Sequence, residues 1–139
     1  MNTKQSKGEK VLGKADSNLA SLDKNSHYTI DAAGKTLGRV ASLAAKTLMG
    51  KTEARYTPNI ASPVKVNVLN AGKLITTDRK SLGKKYTSYS GYPGGLKTEA
   101  LGKLQVRKGH AEPLRRAIER MLPRNTLRVG RMKNLRIVV

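Results

Sequence analysis

Apolar positions along this chain recur with two different spacings, and the switch between them lays out its elements. His27-Tyr28-Thr29-Ile30-Asp31 is a short β-prone run, closed by a turn at Ala33-Gly34. Leu37, Val40, Ala41, Ala44 and Leu48 then fall at helical spacing, with Arg39, Ser42 and Lys46 on the other face. Gly50 stands where a left-handed cap would close that helix. Val64-Lys65-Val66-Asn67-Val68-Leu69 alternates and then turns continuously apolar, as a buried strand does, and Lys73-Leu74-Ile75-Thr76-Thr77 is a second, shorter strand candidate.

Residues 78–97 are polar, carry no helical period, and read as a long loop, which in a compact domain points to function or disorder. Thr98 is placed to cap a short helix through Leu101 and Leu104 that ends at Lys108-Gly109. Pro113 suits the first turn of the next helix, whose stripe is Leu114, Ala117, Ile118, Met121 and Leu122, and Pro123 ends it. Arg124 to Lys133 reads as a basic connector, and Leu135-Arg136-Ile137-Val138-Val139 as a closing strand. Strand–helix–strand alternation argues for a parallel or mixed sheet covered by helices, an α/β fold, and no internal repeat is visible. Residues 1–26, rich in Lys, Ser, Asn and Gly, read as a flexible basic extension ahead of a domain spanning 27–139.

Charge changes the picture most. The 139 residues hold 28 Lys and Arg against nine Asp and Glu, for a net +19. The excess rises along the chain: residues 79–139 carry sixteen basic and three acidic groups. Such self-repulsion makes physical sense beside a polyanion, either nucleic acid or an anionic membrane, and the C-terminal half should meet it most intimately. Phe, Trp and Cys are absent. The core must therefore be aliphatic, and thiolate metal sites and disulfides are excluded. No apolar run approaches the ~20 residues that cross a bilayer, and no secretory signal opens the chain, so a cytoplasmic protein is expected.

Catalytic readings fare poorly. Gly34-Lys35-Thr36 resembles the end of a phosphate loop, but Thr29 stands where that signature needs its first glycine; an anion at this helix N-terminus, beside Lys35 and Arg39, is the milder expectation. Glu112 and Glu119 share a helix face with Arg115 and Arg116 between them, which predicts the i,i+4 ion pairs Glu112–Arg116 and Arg115–Glu119 rather than acid–base work. His27 and His110 are the only histidines and cannot build a metal site alone.

Two stretches carry nucleic-acid chemistry. Lys84, Lys85 and Lys97 supply phosphate charge around Tyr86, Tyr89 and Tyr92, whose rings can stack on bases, while Gly94 and Gly95 let the backbone approach RNA without a Cβ in the way. Arg124, Arg128, Arg131 and Lys133, with Arg136, form the second, where planar guanidinium forks suit folded RNA. Lys51, Arg55 and Tyr56 lie in a separate, shorter basic loop.

Several of these motifs, taken in order, resemble the family of the thirteenth protein of the large ribosomal subunit, in its bacterial form. The likeness runs through Tyr28-Thr29-Ile30-Asp31-Ala32, Gly34-Lys35-Thr36-Leu37-Gly38-Arg39-Val40-Ala41, Gly50-Lys51, Tyr56-Thr57-Pro58, and Val68-Leu69-Asn70-Ala71 with Lys73. It continues in Tyr89-Ser90-Gly91-Tyr92-Pro93-Gly94-Gly95 and Met121-Leu122-Pro123-Arg124-Asn125. The resemblance implies a three-layer α/β/α fold with a four-stranded parallel sheet in order 3-2-1-4. It also implies large-subunit rRNA and neighbouring ribosomal proteins as partners, a part in early subunit assembly, and no cofactor, small-molecule substrate or enzymatic activity. Tyr89 and Tyr92 replace histidines common in the family, Arg120 and Arg128 replace glycines, and the chain stops at Val139, before a histidine-containing tail that many relatives carry. The rival readings are a free-standing RNA-binding regulator of translation and a nucleotide-dependent enzyme; a peripheral membrane role is more distant.

Overall fold

The computed structural model describes residues 10–11, 27–54 and 56–139. Its centre is a parallel sheet built from β2 (His27–Asp31), β3 (Lys65–Leu69) and β6 (Leu135–Ile137), with the two-residue β1 (Lys10–Val11) pairing along the free edge of β2. Tyr28 lies beside Val66 and Ile30 beside Val68, and Val66 and Val68 lie beside Leu135 and Ile137. Because side chains alternate between sheet faces, this register gathers the aliphatic residues on one side. The opposite row holds Thr29, Asn67 and Arg136.

Two helices cover the apolar side. In α1 (Leu37–Leu48), Val40, Ala41, Ala44, Ala45 and Leu48 are buried, and the small alanines let the helix approach the strands closely. In α4 (Ala111–Met121), Leu114 and Ile118 are buried at four-residue spacing and join the same cluster as Ile30, Val66, Val68 and the α1 residues. Met121, the last residue of the expected stripe inside the helix, is instead 42% exposed. Among the described residues no helix is long and apolar enough to cross a membrane.

The chain is mixed α/β with a parallel sheet, but the strand order differs from 3-2-1-4. It is β1-β2-β3-β6, so the strands of this sheet lie side by side in the order in which they follow along the chain. The expected strand at Lys73–Thr77 does not form. Asn70 takes a left-handed conformation (φ 57°) and Ala71–Lys73 winds into a 3-10 turn. The remaining residues lie along the turn before α1, where Gly34 donates to Lys73 O at 3.1 Å and Ile75 donates to Lys35 O at 3.0 Å. A place in the sheet beside β3 was not open to them, since β2 and β6 occupy both its edges.

Residues 78–97 also differ from the expected loop. They form α2 (Asp78–Gly83), β4 (Lys85–Tyr89) and the start of β5 (Leu96–Ala100), the two strands making an antiparallel hairpin apart from the main sheet. Short strands of small polar residues hold little apolar periodicity, so their pairing was hidden from the pattern. Thr98 lies within β5, and Ala100 instead precedes α3 (Leu101–Lys108), whose Leu101 N–H donates to Lys84 O at 2.8 Å. The expected connector at Arg124–Lys133 contains a further helix, α5 (Leu127–Lys133).

Two local devices set testable limits. Gly50 closes α1 at φ 78°, and a Cβ there would lie 2.9 Å from that of Ser62. Left-handed backbone costs an L-residue ~1–2 kcal/mol before any clash. Gly50→Ala should therefore lower the stability measured by urea unfolding by about 2 kcal/mol, and an unchanged midpoint would contradict this account of the cap. Asp31 accepts hydrogen bonds from the Asn70 side chain at 2.9 Å and the Ala33 N–H at 3.0 Å, which hold its carboxyl below the usual 3.8. A depressed folded-state pKa stabilises the fold above 3.8, and that contribution disappears as pH falls through the folded value. Asn70→Gly keeps the left-handed turn but removes the stronger donor, so Asp31 followed by carboxyl NMR should titrate nearer 3.8.

Candidate nucleic-acid interface

A two-stranded hairpin has too little apolar surface to stand alone, and the way β4–β5 is anchored decides which of its side chains remain available. Tyr86 is the anchor. Its ring is 6% exposed and packs with Leu101 and Leu104 of α3 in a cluster separate from the main core. The guanidinium of Arg116 lies 5.2 Å from the ring centroid and that of Arg120 5.5 Å, both from α4. These cation–π contacts tie the hairpin to the body of the protein. Burial pushes the Tyr86 phenol pKa up, with Arg120 and Arg116 opposing. The sequence reading of Tyr86 as a free stacking ring is therefore corrected: its ring is an internal strut.

Beyond that anchor the hairpin projects. Tyr89 is 64% and Tyr92 75% exposed, and Lys84, Lys85 and Lys97 are all exposed around them. Tyr89 lies across from Leu96, and Ser88 from Lys97. The tip turns through Gly91 and Gly94 at φ 92° and 73°, and Gly95 donates to Tyr92 O at 3.0 Å. A Cβ on Gly95 would displace the Ser90 hydroxyl and lie 3.0 Å from Tyr92 O, so the turn is tight against any larger residue there. The arm thus offers two exposed phenol rings between ammonium groups.

The carboxylates nearby are already engaged. Glu99 accepts two hydrogen bonds from Arg107, from Nε at 2.8 Å and Nη2 at 2.6 Å, which hold its carboxyl below the usual range. Glu112 accepts from Arg116 Nε at 2.9 Å, the expected i,i+4 pair. Glu119 does not pair with Arg115; it faces Arg128 at 3.7 Å instead. Arg115 is left exposed.

The other sequence-derived residues fall in three places. Lys35 and Arg39 are exposed at the entry to α1. The phosphate-loop reading loses ground there, because Gly34 and Lys35 N–H groups already donate to Lys73 O and Ala32 O. Lys51 is exposed with its ammonium 5.8 Å from the Tyr56 ring centroid, while Arg55 lies outside the described residues. Arg124 and Lys133 are exposed and Arg128 half-buried, but Arg131 is 2% exposed and turned inward from α5. Its place in the second basic cluster is by sequence only, since a surface cluster requires guanidinium nitrogens at the surface.

Sequence reasoning missed Arg116 and Arg120. Glu112, Arg116 and Arg120 recur at four-residue spacing, so one helix face was visible, but not that Tyr86 lies beneath it. Among the described residues no group of three or more His, Cys, Asp or Glu is placed to hold a metal ion. Both His27 and His110 are exposed.

Residues 25–139 match the family described as Ribosomal protein L13. The chain is 46% identical over 110 residues to the large ribosomal subunit protein uL13 of Gloeothece citriformis, covering 79% of this chain and 72% of that one. It is 44% identical over 114 residues to uL13 of Pelobacter propionicus, covering 82% and 80%, and 43% identical over 111 residues to that of Burkholderia pseudomallei, covering 79% and 77%. A match of this extent, carried by the whole folded body rather than by one motif, places the chain in the ribosomal protein L13 family.

Proposed function

We propose that this chain is a structural constituent of the large ribosomal subunit in the cytoplasm, that it binds large-subunit rRNA, and that it supports early subunit assembly. It performs no catalysis and takes no cofactor or small-molecule substrate. The observation that carries the reading is the hairpin arm, which holds Tyr89 and Tyr92 away from the core among Lys84, Lys85 and Lys97 on a family member with net charge +19.

Binding by such a surface follows from elementary electrostatics. Each phosphate neutralised by a lysine or arginine releases condensed counterions, giving an affinity that falls steeply with salt. The A-form major groove is too narrow for side chains, so contacts go to backbone phosphates and to unstacked bases in loops and junctions. Tyr89 and Tyr92 stack on such bases, the lysines hold the flanking phosphates, and Gly94 admits the backbone closely. Lys35 and Arg39 at one end of α1 form a second contact region, Lys51 and Tyr56 beyond its other end, with Arg55 by sequence, a third, and Arg124, Arg128 and Lys133 a fourth. Residues 27–139 are the rRNA-binding body and 1–26 a basic extension of it. Leu82 and Val106, exposed on α2 and α3, suit a protein neighbour in the subunit better than RNA. Binding RNA in the folded state only, the protein stabilises the RNA arrangement that presents all its sites together.

The test separates stacking rings from the strut. Tyr89→Ala and Tyr92→Ala should each weaken affinity for a large-subunit rRNA transcript by ~1–3 kcal/mol and leave thermal unfolding nearly unchanged. Tyr86→Ala should instead destabilise the free protein, by about 3 kcal/mol if it behaves like other large buried rings. If the Tyr89 and Tyr92 variants bind as well as the parent protein, the arm is not the contact surface. Co-sedimentation with large subunits in moderate salt checks the ribosomal assignment itself; recovery only in the soluble fraction would favour a free-standing regulator.

A further inference from the structure

Arg131, the fifth residue of α5, is buried to 2% exposure, and its Nε and Nη2 are shut off from solvent with no acceptor. Thr52 and Ser62 also bury an unpartnered hydroxyl, but those groups are neutral. A guanidinium does not deprotonate in a protein, so Arg131 carries a full charge into the interior. An unpaired buried charge is among the costlier defects a fold can hold. Its surroundings deepen the problem. Arg124, Arg128, Lys133 and Arg136 share the same stretch of chain, and Glu119, the acid that reaches α5, is already paired with Arg128. Among the described residues no carboxylate pairs with Arg131.

The outer side of α5 is open. Val129 is exposed, and a Cβ built on exposed Gly130 would meet nothing within 4 Å. A polyanion can therefore approach α5 at Val129 and Gly130, and the long, unpartnered Arg131 side chain must swing out from its buried position to meet it. We propose that Arg131 is a latent phosphate ligand, which leaves its unpaired position in the free protein to place Nε and Nη2 on one phosphate of bound rRNA. This rests on the rRNA-binding reading above and adds a mechanism to it: the same residue weakens the free fold and strengthens the complex. A phosphate fits better than a carboxylate from another protein, because exposed Arg124, Lys133 and Arg136 lie close to Arg131 in the chain and a nucleic-acid backbone presents repeated anions to match such a run of charge.

The experiment compares the full chain with Arg131→Met and Arg131→Lys, by thermal unfolding of the free proteins and by binding to a full-length large-subunit rRNA transcript across a salt titration. Arg131→Met removes the charge while keeping an unbranched chain, so it should melt a few degrees higher than the parent. It should also bind rRNA several-fold more weakly, with the slope of log affinity against log salt shallower by about one. Arg131→Lys should restore the slope but not the full affinity, since an ammonium has no fork. A lower melting temperature for Arg131→Met, or a parent-like salt slope, overturns the inference while leaving the proposed function standing. Failure of the parent protein to bind the transcript removes both.

Discussion

Self-repulsion at a net charge of +19 pushes the parts of this chain away from one another, and aliphatic packing between α1, α4 and one face of the sheet is what opposes it. With no Phe or Trp, the core relies on Ile30, Val66 and Val68 meeting Val40, Ala44, Leu114 and Ile118 at close range. Small alanines on α1 make that closeness possible. The repulsion also explains why a polyanion is the natural companion: binding it offsets that self-repulsion.

The few carboxylates are placed with economy. Glu99, Glu112 and Glu119 sit against Arg107, Arg116 and Arg128, so the most basic third of the chain keeps its acids in specific pairs. Glu99 in turn holds Arg107 beside β5, and Glu112 holds Arg116 where it also covers the Tyr86 ring. The pairs therefore do local positioning, since exposed ion pairs alone contribute little stability. What they leave unpaired on the hairpin, Lys84, Lys85 and Lys97, faces outward into solvent.

Tyr86 and Tyr89 show how one motif divides into two tasks. They lie three residues apart in the same strand, hence on opposite faces of the hairpin, so one ring enters the satellite core while the other meets solvent. The buried ring fixes the arm to α3 and α4, and that fixed arm is what gives the exposed rings a defined position. A stacking surface on a free loop would lose the entropy of ordering itself at each binding event.

Local chemistry and periodicity determined α1 with its Gly50 cap, α4 with Pro113 in its first turn, β2, β3 and the closing strand, together with the basic excess that points to a polyanion. Those features were legible because each rests on neighbours within a few residues. Ordered motifs likewise carried the family resemblance without any fold. The strand order, the hairpin at 85–100, the helix at 127–133, the burial of Tyr86 beneath Arg116 and Arg120, and the inward turn of Arg131 were decided only by tertiary structure. Each depends on which distant segment takes a sheet edge or covers a side chain. Sequence periodicity records that a face must be buried, but not what buries it.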